Sequence, residues 1–266
     1  MAVGGAGRVV PPSGGPGPEL RVLTYHRFGD GHRAPFTVSA AQFEREVAYL
    51  AASGRAVSLA DVEAFVAGKR QLPSGSVLVT FDDGDPSVRT VAVPILQKYA
   101  VPSVAYILAG RPTGFDLMSF SQIREIQAAG VSIGSHTVSH RSLGSLSRAE
   151  AMAELVDSRR RLEDEMGTAV HSFAYPFGTA KDMTPQVIDC VGEAGYTTGF
   201  SSLHGAIRAD TARQPYALPR VKVESGDPQW LFPALCAGAM DRWRLVDDML
   251  TNLQKPAESQ LQKTAA

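Results

Sequence analysis

Cysteine is scarce in this 266-residue chain, with Cys190 and Cys236 the only two. Two thiols are too few for a disulfide framework or a thiolate zinc cluster, and each reads as a buried apolar residue. An excess of charge is also missing: 26 Lys and Arg against 27 Asp and Glu leave a formal net charge of -1. Gripping a phosphate backbone needs concentrated basic charge, so no nucleic-acid partner is expected. No apolar run reaches the ~18 residues of a spanning helix, which predicts no membrane span. The leader, residues 1–19, lacks a continuous apolar stretch of the kind that drives export, and its only basic residue, Arg8, lies inside it. It is rich in Gly and Pro, so a disordered leader and a cytoplasmic location are the expectation. A flexible tail is expected from Lys255 onward.

What the chain does have is 44% hydrophobic residues, enough for a large core. Between residues 20 and 254 the hydrophobic pattern changes period repeatedly. Short apolar runs at 20–26, 76–83, 103–108, 131–137, 171–177, 197–202 and 217–223 read as strands. Several are continuous rather than alternating, as strands buried on both faces are. Helical patterns follow at 40–54, 58–68, 85–100, 119–130, 147–167, 184–195 and 227–254. Asp85 stands as an N-cap before Pro86, while Pro94 and Pro233 are expected to interrupt their helices. Strand–helix alternation implies right-handed crossovers and a parallel α/β sheet. Seven such units in a single domain, 20–254, suggest a barrel-like closure, with chemistry at the C-terminal ends of the strands.

Few polar residues occupy those ends. Tyr25 and His26 close the first run, Asp82 and Asp83 the second, and His136 the fourth, with His140 four residues on. Tyr175, Pro176 and Phe177 close the fifth, and Arg220 lies in the seventh. Adjacent carboxylates after a buried strand repel and lose hydration, which a cation relieves; a turn of solvated acids is the plainer alternative. Two His four apart can grip zinc from one face, though a chance surface pair has the same spacing. One Asp with two His leaves positions open on a metal, which is a catalytic rather than a structural arrangement.

Thr80–Gly84 reads TFDDG and residues 136–140 read HTVSH. These resemble the first two signature motifs of the polysaccharide deacetylases, the NodB-homology or carbohydrate esterase family 4 group. LTYHRF, FAYPFG and LPRVKV resemble the subgroup of poly-N-acetylglucosamine deacetylases. The resemblance implies a distorted (β/α)7 barrel, a divalent metal, most often zinc, and removal of an N-acetyl group from an amino sugar in a carbohydrate substrate. It assigns Asp82 as catalytic base and Asp83, His136 and His140 as metal ligands. It gives the backbone N–H of Phe177 the oxyanion. The family's third motif carries an Arg where this chain has Ala174, and Arg220 is the expected substitute for orienting the base. The family's late histidine, a general acid, has no clean match, so His26 is the preferred candidate and His204 the weaker one. Tyr25, Tyr175, Pro176 and His204 are expected on the substrate side, the two tyrosines packing rather than reacting. Trp230 and Trp243 are expected in the core or a groove. Two other readings stand beside the deacetylase: hydrolysis of another small, even cyclic, amide in the same barrel, and a non-catalytic carbohydrate-binding relative. Oligomeric state has no signature in the sequence.

Overall fold

A computed structural model describes residues 19–29 and 36–254. The expectations for the leader before Glu19 and for the tail from Lys255 lie outside the described residues. The elements run β1 (Leu20–Tyr25), β2 (Arg27–Phe28), β3 (Thr37–Val38), α1 (Ala40–Ser53), α2 (Leu59–Val66), β4 (Ser76–Phe81), α3 (Val93–Tyr99), β5 (Ser103–Ile107), α4 (Phe120–Ala128) and β6 (Val131–Ser135). Then come α5 (Arg148–Met166), β7 (Ser172–Ala174), α6 (Pro185–Glu193), β8 (Thr198–Phe200), β9 (Val221–Lys222), α7 (Leu231–Cys236) and α8 (Arg244–Gln254).

All seven expected strands join one sheet in the order β8-β7-β6-β5-β4-β1-β9, and every pairing is parallel. The sheet curls into a distorted, partly open (β/α)7 barrel. β8 and β9 share no ladder. Instead Leu218 bonds to β8 on one side while Val221 and Lys222 pair with β1 on the other, so this short stretch forms the seam. The two-residue pair β2–β3 was not expected; it is too short to show a period.

Capping sets the helix starts. Ser39, Ser58, Ser119, Ser147 and Thr184 each accept a first-turn N–H, and Ser58, Ser119 and Ser147 form full capping boxes. Asp85 accepts the Ser87 N–H at 2.8 Å, as an N-cap before Pro86 should. The interruption expected at Pro94 takes the form of a π-turn: Val88–Ala92 widen, and Pro94 falls in the first turn of α3, so the helix runs as two pieces. Pro233 likewise sits in the first turn of α7, where a missing N–H costs nothing. The interruption comes at Gly238 instead, whose φ is 98°.

Side chains alternate across each strand. Leu20 and Val22 of β1, Leu78 of β4, Val104 and Tyr106 of β5, Ala174 of β7 and Phe200 of β8 fill the barrel, joined by Leu59, Val62 and Phe65 of α2. The opposite faces pack under the helices, as Leu23, Val79, Phe81, Ile133 and Phe173 do. No helix among the described residues is long and apolar enough to cross a membrane.

Candidate active site

The inward face of β4 runs Leu78, Thr80, Asp82. Asp82 is 3% exposed, and its carboxylate is held on both oxygens by Arg220, Nη1–Oδ1 at 2.7 Å and Nη2–Oδ2 at 2.6 Å. Arg220 is wholly buried, lies over the Tyr106 ring and also donates from Nε to the Ser201 carbonyl at 2.8 Å. It reaches Asp82 because the seam brings it beside β1, whose other neighbour is β4. Burial opposes charge on Asp82, but the Arg220 guanidinium, with His136, outweighs it and holds the carboxyl well below the ordinary range.

Asp83 turns away in a left-handed conformation, φ 74°. Its Oδ1 is buried without a hydrogen-bond partner. His136 Nε2 and His140 Nε2 both face that oxygen at 3.4 Å. The three ligand atoms lie within 4.8 Å of one another. His136 Nδ1 meets the Ala174 carbonyl at 2.8 Å, so its proton resides there and the Nε2 lone pair points at Asp83. An orphaned carboxylate oxygen facing two imidazole nitrogens is a donor set that fits a divalent cation. Burial depresses the His140 imidazole, with His136 adding to the effect, to about 4. His140 is therefore neutral, as a ligand must be, at pH 7.

Strained backbone gathers here. Among the described residues five non-glycines have left-handed φ; Ala100 ends a helix, and the other four are Asp83, Thr137, His140 and Phe177. Such conformations cost ~1–3 kcal/mol each and persist where surrounding structure over-determines them. The Phe177 ring stands 54% exposed beside His140, 4.9 Å between centroids. Its N–H donates to no group among the described residues.

His26 follows β1 on the inward register and lines a cleft of about 350 Å³ with Asp83, Phe36, Phe115, Asp85 and Asp116. Burial holds its imidazole below the usual range, against the pull of Asp82 and Asp83. Phe36 and Phe115 pack on His26 and His140, each at 4.9 Å between centroids. Neither Phe was singled out from sequence, because both lie in loops without a periodic signature.

Three expected substrate-side residues stand elsewhere. Tyr25 and Tyr175 are odd-numbered neighbours of inward residues, so alternation turns them outward. Each is 1% exposed; Tyr25 donates to Glu46 Oε2 at 2.8 Å and Tyr175 to the Tyr216 carbonyl at 2.6 Å. His204 lines another cavity with Arg208, Asp241 and Arg244, and Asp247 Oδ2 accepts its N–H at 2.8 Å. Pro176 is buried in the turn that carries Phe177. Trp230 and Trp243 are 71% and 48% exposed, outside the core.

The family model for polysaccharide deacetylase matches residues 69–199, the span holding Asp82, Asp83, His136, His140 and Phe177. The chain carries a polysaccharide deacetylase domain over that span. The poly-beta-1,6-N-acetyl-D-glucosamine N-deacetylase of Staphylococcus aureus is 25% identical over 202 residues, 71% of this chain and 68% of that one. Among solved structures, IcaB from Ammonifex degensii is 28% identical with a TM-score of 0.69, covering 84% of this chain and 98% of that one. The Streptococcus pyogenes deacetylase PplD, in complex with acetate, shares the fold at 21% identity and a TM-score of 0.74, covering 82% and 98%. The chain is thus similar to a poly-N-acetylglucosamine deacetylase over most of its length.

Proposed function

We propose that the chain is a metal-dependent hydrolase that removes acetyl groups from N-acetylated amino sugars of a poly- or oligosaccharide, releasing acetate. The observation that carries this reading is the contrast between neighbours: Asp82 is locked by Arg220, while Asp83 offers an orphaned oxygen toward two imidazoles. A divalent cation held by Asp83, His136 and His140, zinc first among the candidates, would polarise the acetamide carbonyl and acidify the attacking water.

The remaining work falls to the chain's own groups. Asp82, ionised because Arg220 neutralises it, accepts the proton of the attacking water at a carboxylate oxygen. Arg220 fixes the direction of that carboxylate and takes the place of the family's third-motif Arg. The Phe177 N–H donates to the oxygen that gains charge; such a donor is typically worth ~2.7–4 kcal/mol. The sugar amine leaves poorly unless protonated. His26, the imidazole that lines the cleft with Asp83, is the group assigned to that task. It starts neutral, so the proton that Asp82 removed from the water is relayed to it and passed on to the amine nitrogen.

Acetate release is to be measured on poly-β-1,6-N-acetylglucosamine oligomers, chito-oligosaccharides and single N-acetyl sugars, and ring opening on cyclic amides, with metal-stripped and zinc-restored protein. Zinc-restored release from oligomers is expected. Ring opening of cyclic amides alone would replace the substrate, and no turnover of any of them would favour a binding relative. Asp82→Asn should abolish turnover and keep metal, whereas His136→Ala should lose both. His26→Ala should lose turnover of acetamides but keep that of an aryl acetate, whose leaving group needs no proton. Equal losses on the two would remove His26 from the acid role.

A further inference from the structure

The turn from His136 to His140 carries two metal-site imidazoles through two left-handed residues, Thr137 at φ 70° and His140 at φ 58°. It is held from three sides. On one, the Thr137 and Val138 carbonyls accept the N–H groups of Ala109 at 2.9 Å and Gly110 at 3.0 Å. Gly110 is required for that approach, since a Cβ there would lie 2.2 Å from the Val138 oxygen. Within the turn, the His140 N–H donates to Thr137 Oγ1 at 3.1 Å. The third side belongs to a single residue of α5. Glu154 Oε2 accepts the N–H groups of Val138 at 2.8 Å and Ser139 at 3.0 Å, and its Oε1 accepts the Ser139 hydroxyl.

One carboxylate therefore satisfies three donors of the segment between the two imidazoles. No peptide carbonyl could do so, because it has one oxygen and the three donors diverge. Four residues on, and so on the same face of α5, Ser158 bonds to Ser135 at the end of β6 at 2.8 Å. The helix thus grips both the strand that ends at His136 and the turn that ends at His140.

We propose that Glu154 is a positioning residue for the metal site, holding the strained turn so that His140 Nε2 faces Asp83. It touches neither the three ligand atoms nor the cleft, and its role is to set where one ligand stands. The proposal rests on the metal reading above.

The test is a Zn²⁺ titration of the full chain against a chromophoric chelator, with Co²⁺ absorption as a report on ligand geometry. Glu154→Ala is expected to weaken zinc binding about 10–100-fold, the usual cost of losing a group that orients a ligand. Its Co²⁺ spectrum should change. Glu154→Gln, whose amide oxygen still accepts from the two N–H groups, should restore affinity to within a few-fold and return the spectrum. Glu154→Asp keeps the charge but falls short by one methylene, and serves if the Ala variant fails to fold; it too should bind weakly. Urea midpoints in EDTA for each variant separate loss of the site from loss of the fold. Unaltered zinc affinity and an unaltered Co²⁺ spectrum in the Ala or Asp variant would overturn the proposal. Failure of the parent chain to bind zinc would instead overturn the metal reading beneath it.

Discussion

Asp82 and Asp83 are the same residue type one position apart, yet the fold places them in opposite electrostatic situations. Alternation turns Asp82 into the barrel, where a fully buried guanidinium waits across the seam. The left-handed turn swings Asp83 out toward the imidazoles. Removing one partner of a buried pair leaves a charge without compensation, which typically costs 3–5 kcal/mol. Arg220→Ala should therefore lower the unfolding free energy by about that much and lower acetate release together with it. Arg220→Lys should recover part of the stability but little of the turnover, since an ammonium cannot bind both carboxylate oxygens in one plane. Urea titration and acetate release measure the two effects. An Arg220→Ala protein matching the parent in both would remove Arg220 from the site.

At the level of elements, the interior beside β6 is filled by an aromatic ring from its neighbour. Gly134 of β6 lies against Tyr106 of β5, and a Cβ at Gly134 would come within 2.4 Å of that ring. Tyr106 in turn supports Arg220 and bonds to Ser172 at 2.9 Å. Gly134→Ala should lower stability by about 1–3 kcal/mol through overpacking, with an unchanged urea m-value. Strand positions, helix starts and the inward set Asp82, His136 and His26 could be read from the sequence because periods of 2 and 3.6 and Ser caps are local. The same period argues that Tyr25 and Tyr175 face outward, and adjacency to His26 and Pro176 was a poor guide to direction. Pro233 misled because the penalty of proline depends on where a helix begins, which packing decides. Glu154, Phe36 and Phe115 could not be read, because they meet the site through tertiary contacts that leave no pattern along the chain.

For the molecule as a whole, two buried acids pull stability in opposite directions with pH. Asp82 has a depressed carboxyl, so its contribution is present above about 3.8, its ordinary value, and is lost as pH falls. Glu46 is raised from 4.5 to about 7, chiefly by its burial on the inner face of α1. Its contribution is complete below about 4.5 and disappears as pH rises through about 7. With metal chelated, the parent should lose on the order of 2–3 kcal/mol between pH 5 and 8 from this group. Glu46→Gln should flatten that slope while its amide keeps partners in Tyr25 and Gln42. Urea midpoints across that pH range give the answer, and equal slopes in the two proteins would count against Glu46.

The seam also decides when the catalytic apparatus is complete. Every residue of the proposed metal site lies before β8, while the guanidinium that holds the proposed base arrives only with the stretch that docks onto β1. A chain nicked between β8 and β9 would keep its cation pocket and lose command of its base. Proteolysis at that one crossing would therefore separate holding a metal from using it.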